Sequence, residues 1–228
     1  MHILDNPYIV IITSALHPSI GVISIKDRID QTIHGIDMIR KKIPNCFIIL
    51  SDVSVFPCDE AKQQIAGMVD VMADFSNNPH AIKLSRAGMK SHSELVLMKL
   101  TLEWISQSLD VTSVKRIFKN SARHNITEEF NIDDYNNPEM IGKYVFKNSV
   151  NSWIKPDEWR LYESRLWSMD ASQIDHYLSV WEDMYNDCDG TVDVEHMLYK
   201  HLKPENSFEV PMIWVEGNVA LNGKYQKD

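Results

Sequence analysis

Lys119, Ser121 and Arg123 fall at every second position after the apolar run at 114–118, within IFKNSARHNITEEF (117–130). Side chains at i, i+2 and i+4 of a strand share a face. A strand continuing through this row lines up two cations and a hydroxyl. Lysine and arginine hold phosphate oxygens, arginine often through two parallel N–H bonds. Other element ends carry matching chemistry: Thr13 and Ser14 close YIVIITS, Asp52 follows CFIILS, and Lys90 stands just before Ser91. A carboxylate accepts hydrogen bonds from ribose hydroxyls or a base edge, and a helix N-terminus favours an anion through its free N–H groups and dipole. Ligands of parallel α/β sheets bind where strands end, and a nucleotide diphosphate uses all of these groups together. Each residue alone has a structural alternative. Lys119 and Arg123 can pair with Glu128, Glu129, Asp133 or Asp134 on a solvated surface, and Glu94 can simply partner Ser91 in a capping box.

The elements that must position these groups read as α/β. Residues 8–13 and 46–50 are continuous β-branched and apolar runs, as in strands covered on both faces. Between them Ile29, Ile33, Ile36 and Ile43 recur at near-helical spacing, with Asp27 as N-cap and Pro44-Asn45 as the stop. Strand, helix, strand over about forty residues is the signature of a parallel sheet. Residues 53–90 are less regular, with SNNP (76–79) marking a loop. The segment 90–109 carries an apolar stripe of Leu95, Met98, Leu102, Ile105 and Leu109, with Ser91 and Glu94 spaced as a capping box at its start. Residues 131–160 read as loop-rich, interrupted at 144–146. Further helices are expected at about 171–185 and 194–202, and a last strand at 213–215, closed by turns at Glu216-Gly217-Asn218 and Asn222-Gly223. The expectation is one α/β domain over 1–228, its mostly parallel central sheet flanked by helices.

The 228 residues carry a formal charge of −9 and are 44% hydrophobic. That charge argues against broad attraction to nucleic acid or anionic lipid but leaves room for a local basic pocket. Cys46, Cys58 and Cys188 are widely spaced and form no CxxC, which fits reduced thiols in a cytosol-like compartment. The N-terminal MHILDNPYIVIITSAL has no basic leader region and reads as a strand. No apolar run approaches the roughly 18 residues of a membrane span, so a soluble, cytoplasmic protein is expected. Walker A, GxGxxG, GxSxG and HExxH are missing, and the nine histidines lack ligand spacing. DCDGTVDVEH (187–196) places Asp187, Asp189, Gly190, Thr191 and Asp193 as in a calcium loop. Tyr185 and His196, however, stand where that loop needs an aspartate and a bidentate glutamate. A turn capped by Asp193 ahead of a helix is the expectation instead.

RIDQTIHGIDMIRKKIPNCFIILSD, KSHSE, IFKNSARHNI, YESRLWSMD and VDVEHMLYKHL, in that order over about 8 to 220, resemble small nucleotide-sugar glycosyltransferase-like proteins of the GT-A type. These occur in large DNA viruses, phages and bacteria. The resemblance implies a GT-A-like fold, with a nucleotide-binding half at about 1–125 and an acceptor-side half at about 126–228. Its donor is a nucleotide-diphosphate sugar, UDP-sugar first, with manganese or magnesium left open. It puts Thr13, Arg28 and Asp52 near the nucleotide, and Lys90, Lys119 and Arg123 near the diphosphate or transferred sugar. Arg165 and Glu195, with His196 beside it, fall on the acceptor side. Ala122 replaces the family glycine, His124 the family aromatic, and His92-Ser93 precede Glu94 where small residues and glycine are usual. No apolar run ends in a clean Asp-x-Asp, so the cationic row stands where a metal clamp is expected.

The implied reaction is sugar transfer to a hydroxyl, with a glycan as the first acceptor. Glu195 lies off the apolar stripe of its helix and is the first candidate for the base that deprotonates the acceptor; Asp52 and Glu94 are the alternatives. A second acceptor is a modified DNA base, which needs a basic face such as Arg116, Lys119, Arg123, Lys143 and Lys147. A third reading is a non-catalytic nucleotide- or calcium-binding module. If the chain is viral, its location is the host cytoplasm. Trp153, Trp159 and Trp167 are candidates either for stacking on sugars or for the core.

Overall fold

In the computed structural model, which describes residues 2–189, 191–202, 204–218 and 224–228, the N-terminal apolar runs form the middle of a seven-stranded sheet. β1 (Tyr8–Ser14), buried along its length, pairs in parallel with β2 (Cys46–Asp52) on one side and β4 (Arg116–Ser121) on the other. β3 (Val71–Asp74) extends β2 in parallel. Antiparallel to β4 lies β7 (Leu166–Asp170), followed by β6 (Tyr144–Lys147) and the edge strand β8 (Ser207–Val210). The order is β8-β6-β7-β4-β1-β2-β3, with all ladders parallel except the two that β7 makes. A second, antiparallel sheet joins β5 (His124–Ile126), β9 (Val215–Asn218) and β10 (Tyr225–Lys227).

Strand alternation divides the core into two layers. Val10, Ile12, Ile48, Leu50 and Phe118 face α1 (Ile25–Lys42), while Ile9, Ile11, Ile49 and Ile117 face α4 (Lys90–Ser108). The second layer continues under α5 (Ile174–Asp187) and α6 (Val194–Leu202). Leu95, Met98, Leu102 and Ile105 are buried, as their stripe predicts. No helix is long and apolar enough to cross a membrane among the described residues.

Several local expectations are corrected. Ser24, not Asp27, caps α1: its hydroxyl accepts from the Asp27 N–H at 3.1 Å and donates to the Asp27 carboxylate at 2.7 Å. α4 begins at Lys90 and has no side-chain cap, because Glu94 pairs with Lys119 of β4 rather than with Ser91. The stretch 53–90 contains α2 (Asp59–Ala66), β3 and α3 (Pro79–Arg86). SNNP is a helix start: Asn78 accepts from the N–H groups of His80 and Ala81 at 3.0 Å, and Pro79 opens α3. Glu216-Gly217-Asn218 is not a turn but part of β9, and the 213–215 strand shifts to that register. The Asn222-Gly223 turn and Gly190 lie outside the described residues.

Candidate active site

The parallel register carries the C-terminal ends of three strands to one edge. Ser14 lies opposite Asp52, and Thr13 opposite both Ser51 and Ser121. The cationic row ends differently from its sequence pattern: β4 stops at Ser121, and Arg123 sits in the turn before β5. Gly217 permits that turn, since a Cβ there would lie 2.3 Å from the Arg123 carbonyl oxygen. The turn redirects Arg123 over a cleft of about 170 Å³, which Thr13, Ser14, Arg28, Lys90, Glu94, Ser121 and Arg123 help to line.

Three cations around this cleft have no carboxylate within ion-pair distance among the described residues. Arg28, from the second turn of α1, is 5% exposed and reaches only the Ile23 and Ala15 carbonyls, both at 3.4 Å. Arg123 donates to the Asn218 carbonyl at 2.8 Å. Lys90, first residue of α4, has no side-chain partner among the described residues. Burial and Arg123 bring the Arg28 pKa down to about 10. Partial desolvation, then Arg123 and Arg28, lowers that of Lys90. Burial lowers that of Arg123 against the opposing pull of Glu94. Like charges held together without a counter-ion form a site that gains energy by taking an anion.

Lys119 is held differently. It is 1% exposed, and its ammonium donates to Glu94 Oε1 at 2.5 Å, Ser164 O at 2.6 Å and Ser121 Oγ at 2.9 Å. Its three N–H bonds are all used, so it positions Glu94 and Ser121 at the cleft floor rather than presenting a free charge. Glu128 and Glu129, offered by sequence as surface partners, pair instead with Lys41, Lys42 and Lys227. Asp52 is fully buried and accepts from the N–H groups of Leu16 (2.9 Å) and Ser54 (3.0 Å) and the Ser54 hydroxyl (2.7 Å). It fixes the loop that forms one cleft wall; burial raises its pKa despite those bonds.

The acceptor-side residues separate. Glu195 does not line the cleft; it accepts from Ser164 Oγ at 3.3 Å and Ser164 N at 3.4 Å, on the other side of the Ser164 carbonyl that Lys119 binds. Burial, then Asp193 and Glu94, pushes its pKa up to about 7. Arg165 is clamped by Glu163 and by Asp228, 2.8 Å away. His196 is 3% exposed and faces away from the cleft, with Nε2 2.7 Å from Ser152 Oγ and Nδ1 2.7 Å from Asp193 Oδ1. Asp193 also caps α6 as expected, accepting from Glu195 N and His196 N. His124, standing for an aromatic, behaves as one: it is buried, neither ring nitrogen has a partner among the described residues, and burial beside Arg123, Arg165 and Lys119 brings its pKa down to about 3.

Other sequence candidates point inward. Arg116 donates to the Met140 carbonyl at 2.6 Å and Lys147 pairs with Asp228 at 2.6 Å, so with Lys119 buried no basic face forms from that set. Trp167 is core, whereas Trp153 is exposed. In the calcium-like loop, Asp187 pairs with Lys200 and His201, and Asp189 is engaged by Thr191 and Val192. Among the described residues no cluster of three or more histidine, cysteine or acidic groups could hold a metal. Sequence reading missed the cleft contributions of Thr32, Ser93 and Gly88. Gly88 has φ +71, the one signal available being a glycine just ahead of a helix.

No family model matches the chain, and no curated protein matches its sequence. Solved structures do match its fold. The galactosyltransferase LgtC, in complex with donor and acceptor sugar analogues, superposes with a TM-score of 0.52 at 8% identity, over 89% of this chain and 73% of that one. Mouse xyloside xylosyltransferase 1, apo form, gives 0.50 at 10% identity over 90% and 84%. Core-mannan synthase A from Aspergillus fumigatus, in a Mn/GDP form, gives 0.50 at 6% identity over 94% and 74%. The single α/β domain, with its mostly parallel seven-stranded sheet between helices, has the fold of GT-A glycosyltransferases.

Proposed function

We propose that this chain is a glycosyltransferase that moves a sugar from a nucleotide-diphosphate donor, UDP-sugar first, to a glycan hydroxyl. One observation carries the reading: Arg28, Lys90 and Arg123 converge without carboxylate partners on a cleft at the ends of β1 and β4. A diphosphate supplies the missing negative charge, and the leaving diphosphate is the species such a site stabilises. Solved neighbours of this fold include one with donor and acceptor sugar analogues and one with Mn/GDP.

A divalent metal does not fit the donor set. Hard cations take six or more oxygen ligands, carboxylates first. Here the end of β4 offers Ser121, Ala122 and Arg123, and among the described residues the one carboxylate lining the cleft, Glu94, is held by Lys119. The cations take over diphosphate neutralisation in this reading. Thr13, Ser14 and Ser121 offer hydroxyls to the donor, and Asp52 acts through the loop it fixes. Glu195 is the base: its pKa near 7 allows it to be ionised and still accept a proton. Glu94 is its rival by position, since it lines the cleft. A DNA acceptor is disfavoured because the proposed basic face is turned inward.

Thermal stability against UDP, GDP and inorganic pyrophosphate, each with and without manganese, tests the donor site. A ligand at 100 times its dissociation constant adds about 2.7 kcal/mol. The expected result is a shift with a nucleoside diphosphate that persists in chelator. No shift with any nucleotide ends the reading, and a shift only with manganese returns the metal. Glu195→Gln and Glu94→Gln then separate the two candidate bases by turnover.

A further inference from the structure

Behind the first turn of α6 lies a second depression, about 520 Å³ and larger than the cleft. Trp159 and Arg160 form one wall, Met197, Tyr199 and Lys200 of α6 the other, with Asp187 and Asp189 at one end. We infer that this groove binds a neutral oligosaccharide, the non-reacting sugars of the acceptor glycan; that last identification rests on the transferase reading above.

Its charge chemistry excludes the ligands that suit the cleft. Asp187 pairs with Lys200 at 2.6 Å, Glu158 with Lys155 at 3.2 Å, and Asp189 accepts from Thr191 Oγ1 at 2.7 Å. Arg160 donates to Ser149 Oγ at 2.9 Å. The charges cancel within the wall, so no net field draws phosphate, yet carboxylate lone pairs remain to accept hydroxyls. The apolar part is aromatic: Tyr199 lines the groove with Trp159, one face of whose ring is covered by Lys155 Nζ at 4.9 Å, and Trp153, 60% exposed, stands beside it with its ring 5.2 Å from His196. Flat, rigid rings of this kind take the C–H face of a sugar ring at small entropic cost.

The wall is also held in place beforehand. Ser152 Oγ, 1% exposed, accepts from the N–H groups of Ile154 (3.0 Å) and Lys155 (3.2 Å) and meets His196 Nε2 at 2.7 Å. With Asp193 on His196 Nδ1, the array has the outline of a nucleophile, base and orienter. The serine oxygen is inaccessible and already engaged, so the array is a brace that pins the Trp153–Trp159 loop to α6. Preorganisation of this sort lowers the cost of binding. Position completes the argument: Glu195 accepts from Ser164, whose carbonyl binds Lys119, while the next residue, His196, lines the groove.

The test is titration with maltohexaose, cellohexaose, mannohexaose and chitohexaose at millimolar concentration, following the indole N–H NMR signals. At least one hexaose is expected to move the Trp159 signal saturably. Tyr199→Ala should weaken that binding ~10-fold, whereas Arg123→Ala should leave it within about twofold. Trp159→Phe, which keeps a ring in the wall, should weaken it less than Trp159→Ala, followed by intrinsic fluorescence. Absence of any hexaose response, or a response outside the groove, or affinity unchanged from the parent in both the Trp159→Ala and Tyr199→Ala variants, overturns the assignment. Hexaose failure with nucleotide binding intact sinks the groove alone; the converse sinks the donor reading alone.

Discussion

The cleft and the groove differ in what they do with charge. Around the cleft, burial and then Arg123 lower the pKa of Arg28, burial and then Arg123 and Arg28 lower that of Lys90, and no carboxylate pairs with Arg28, Lys90 or Arg123 among the described residues. In the groove, Asp187, Lys200, Glu158 and Lys155 neutralise one another within the wall. A folded chain keeps unpaired like charges together only at a cost, so the cleft is shaped for a partner not yet bound. The groove is complete in charge, and its aromatic face and carboxylate lone pairs suit a neutral ligand that carries hydroxyls. Net charge, −9 over the whole chain, describes neither place.

The largest expected effect lies between the two regions. Glu195→Gln should lower turnover by ~10²–10⁴-fold while leaving nucleotide binding, read by thermal shift, unchanged. A fall seen only in Glu94→Gln transfers the role to Glu94. Replacing Arg123 and Arg28 together by alanine should cost ~100-fold in pyrophosphate or UDP affinity by calorimetry. Unchanged affinity would mean that the cation cluster is not the diphosphate site.

Asp52→Ala should destabilise the protein by about 3 kcal/mol in urea unfolding, because three donors lose their shared acceptor. Turnover in Glu195-dependent catalysis should fall about tenfold per pH unit below about 7 as the carboxylate takes up a proton. The same group makes a stability prediction. Its folded pKa exceeds its ordinary 4.5, so the folded state binds the proton more tightly, and stability present below about 4.5 is lost as pH rises through about 7. Glu195→Gln should therefore be more stable than the parent at pH 8 and nearly equal at pH 4. The smallest effect is Lys90→Met, which relieves repulsion at the rim and should raise the melting temperature of the ligand-free protein by no more than ~1 °C.

The sheet was legible because YIVIITS and CFIILSD are continuous apolar runs, and a strand buried on both faces leaves that mark. β7 escaped notice because LWSMD is short and leads directly into α5. α2 and α3, eight residues each, are too short to show a period. The capping box at Ser91 failed for a tertiary reason: Glu94 has a stronger partner in a buried ammonium than in a backbone N–H.

The sequence by itself determined the parallel core, the strand ends at Thr13, Asp52 and Ser121, and the presence of cations near them. These follow from local hydrophobic pattern and chain order. Only the tertiary structure decided which cation is free. Lys119 and Arg123 stand four residues apart in one row, yet Lys119 points beneath the sheet edge into three acceptors while Arg123 turns out over the cleft. The strand stops between them, and where a strand stops depends on β9 approaching through Gly217, 94 residues further along. Long-range pairing of that kind leaves no period in the chain to read.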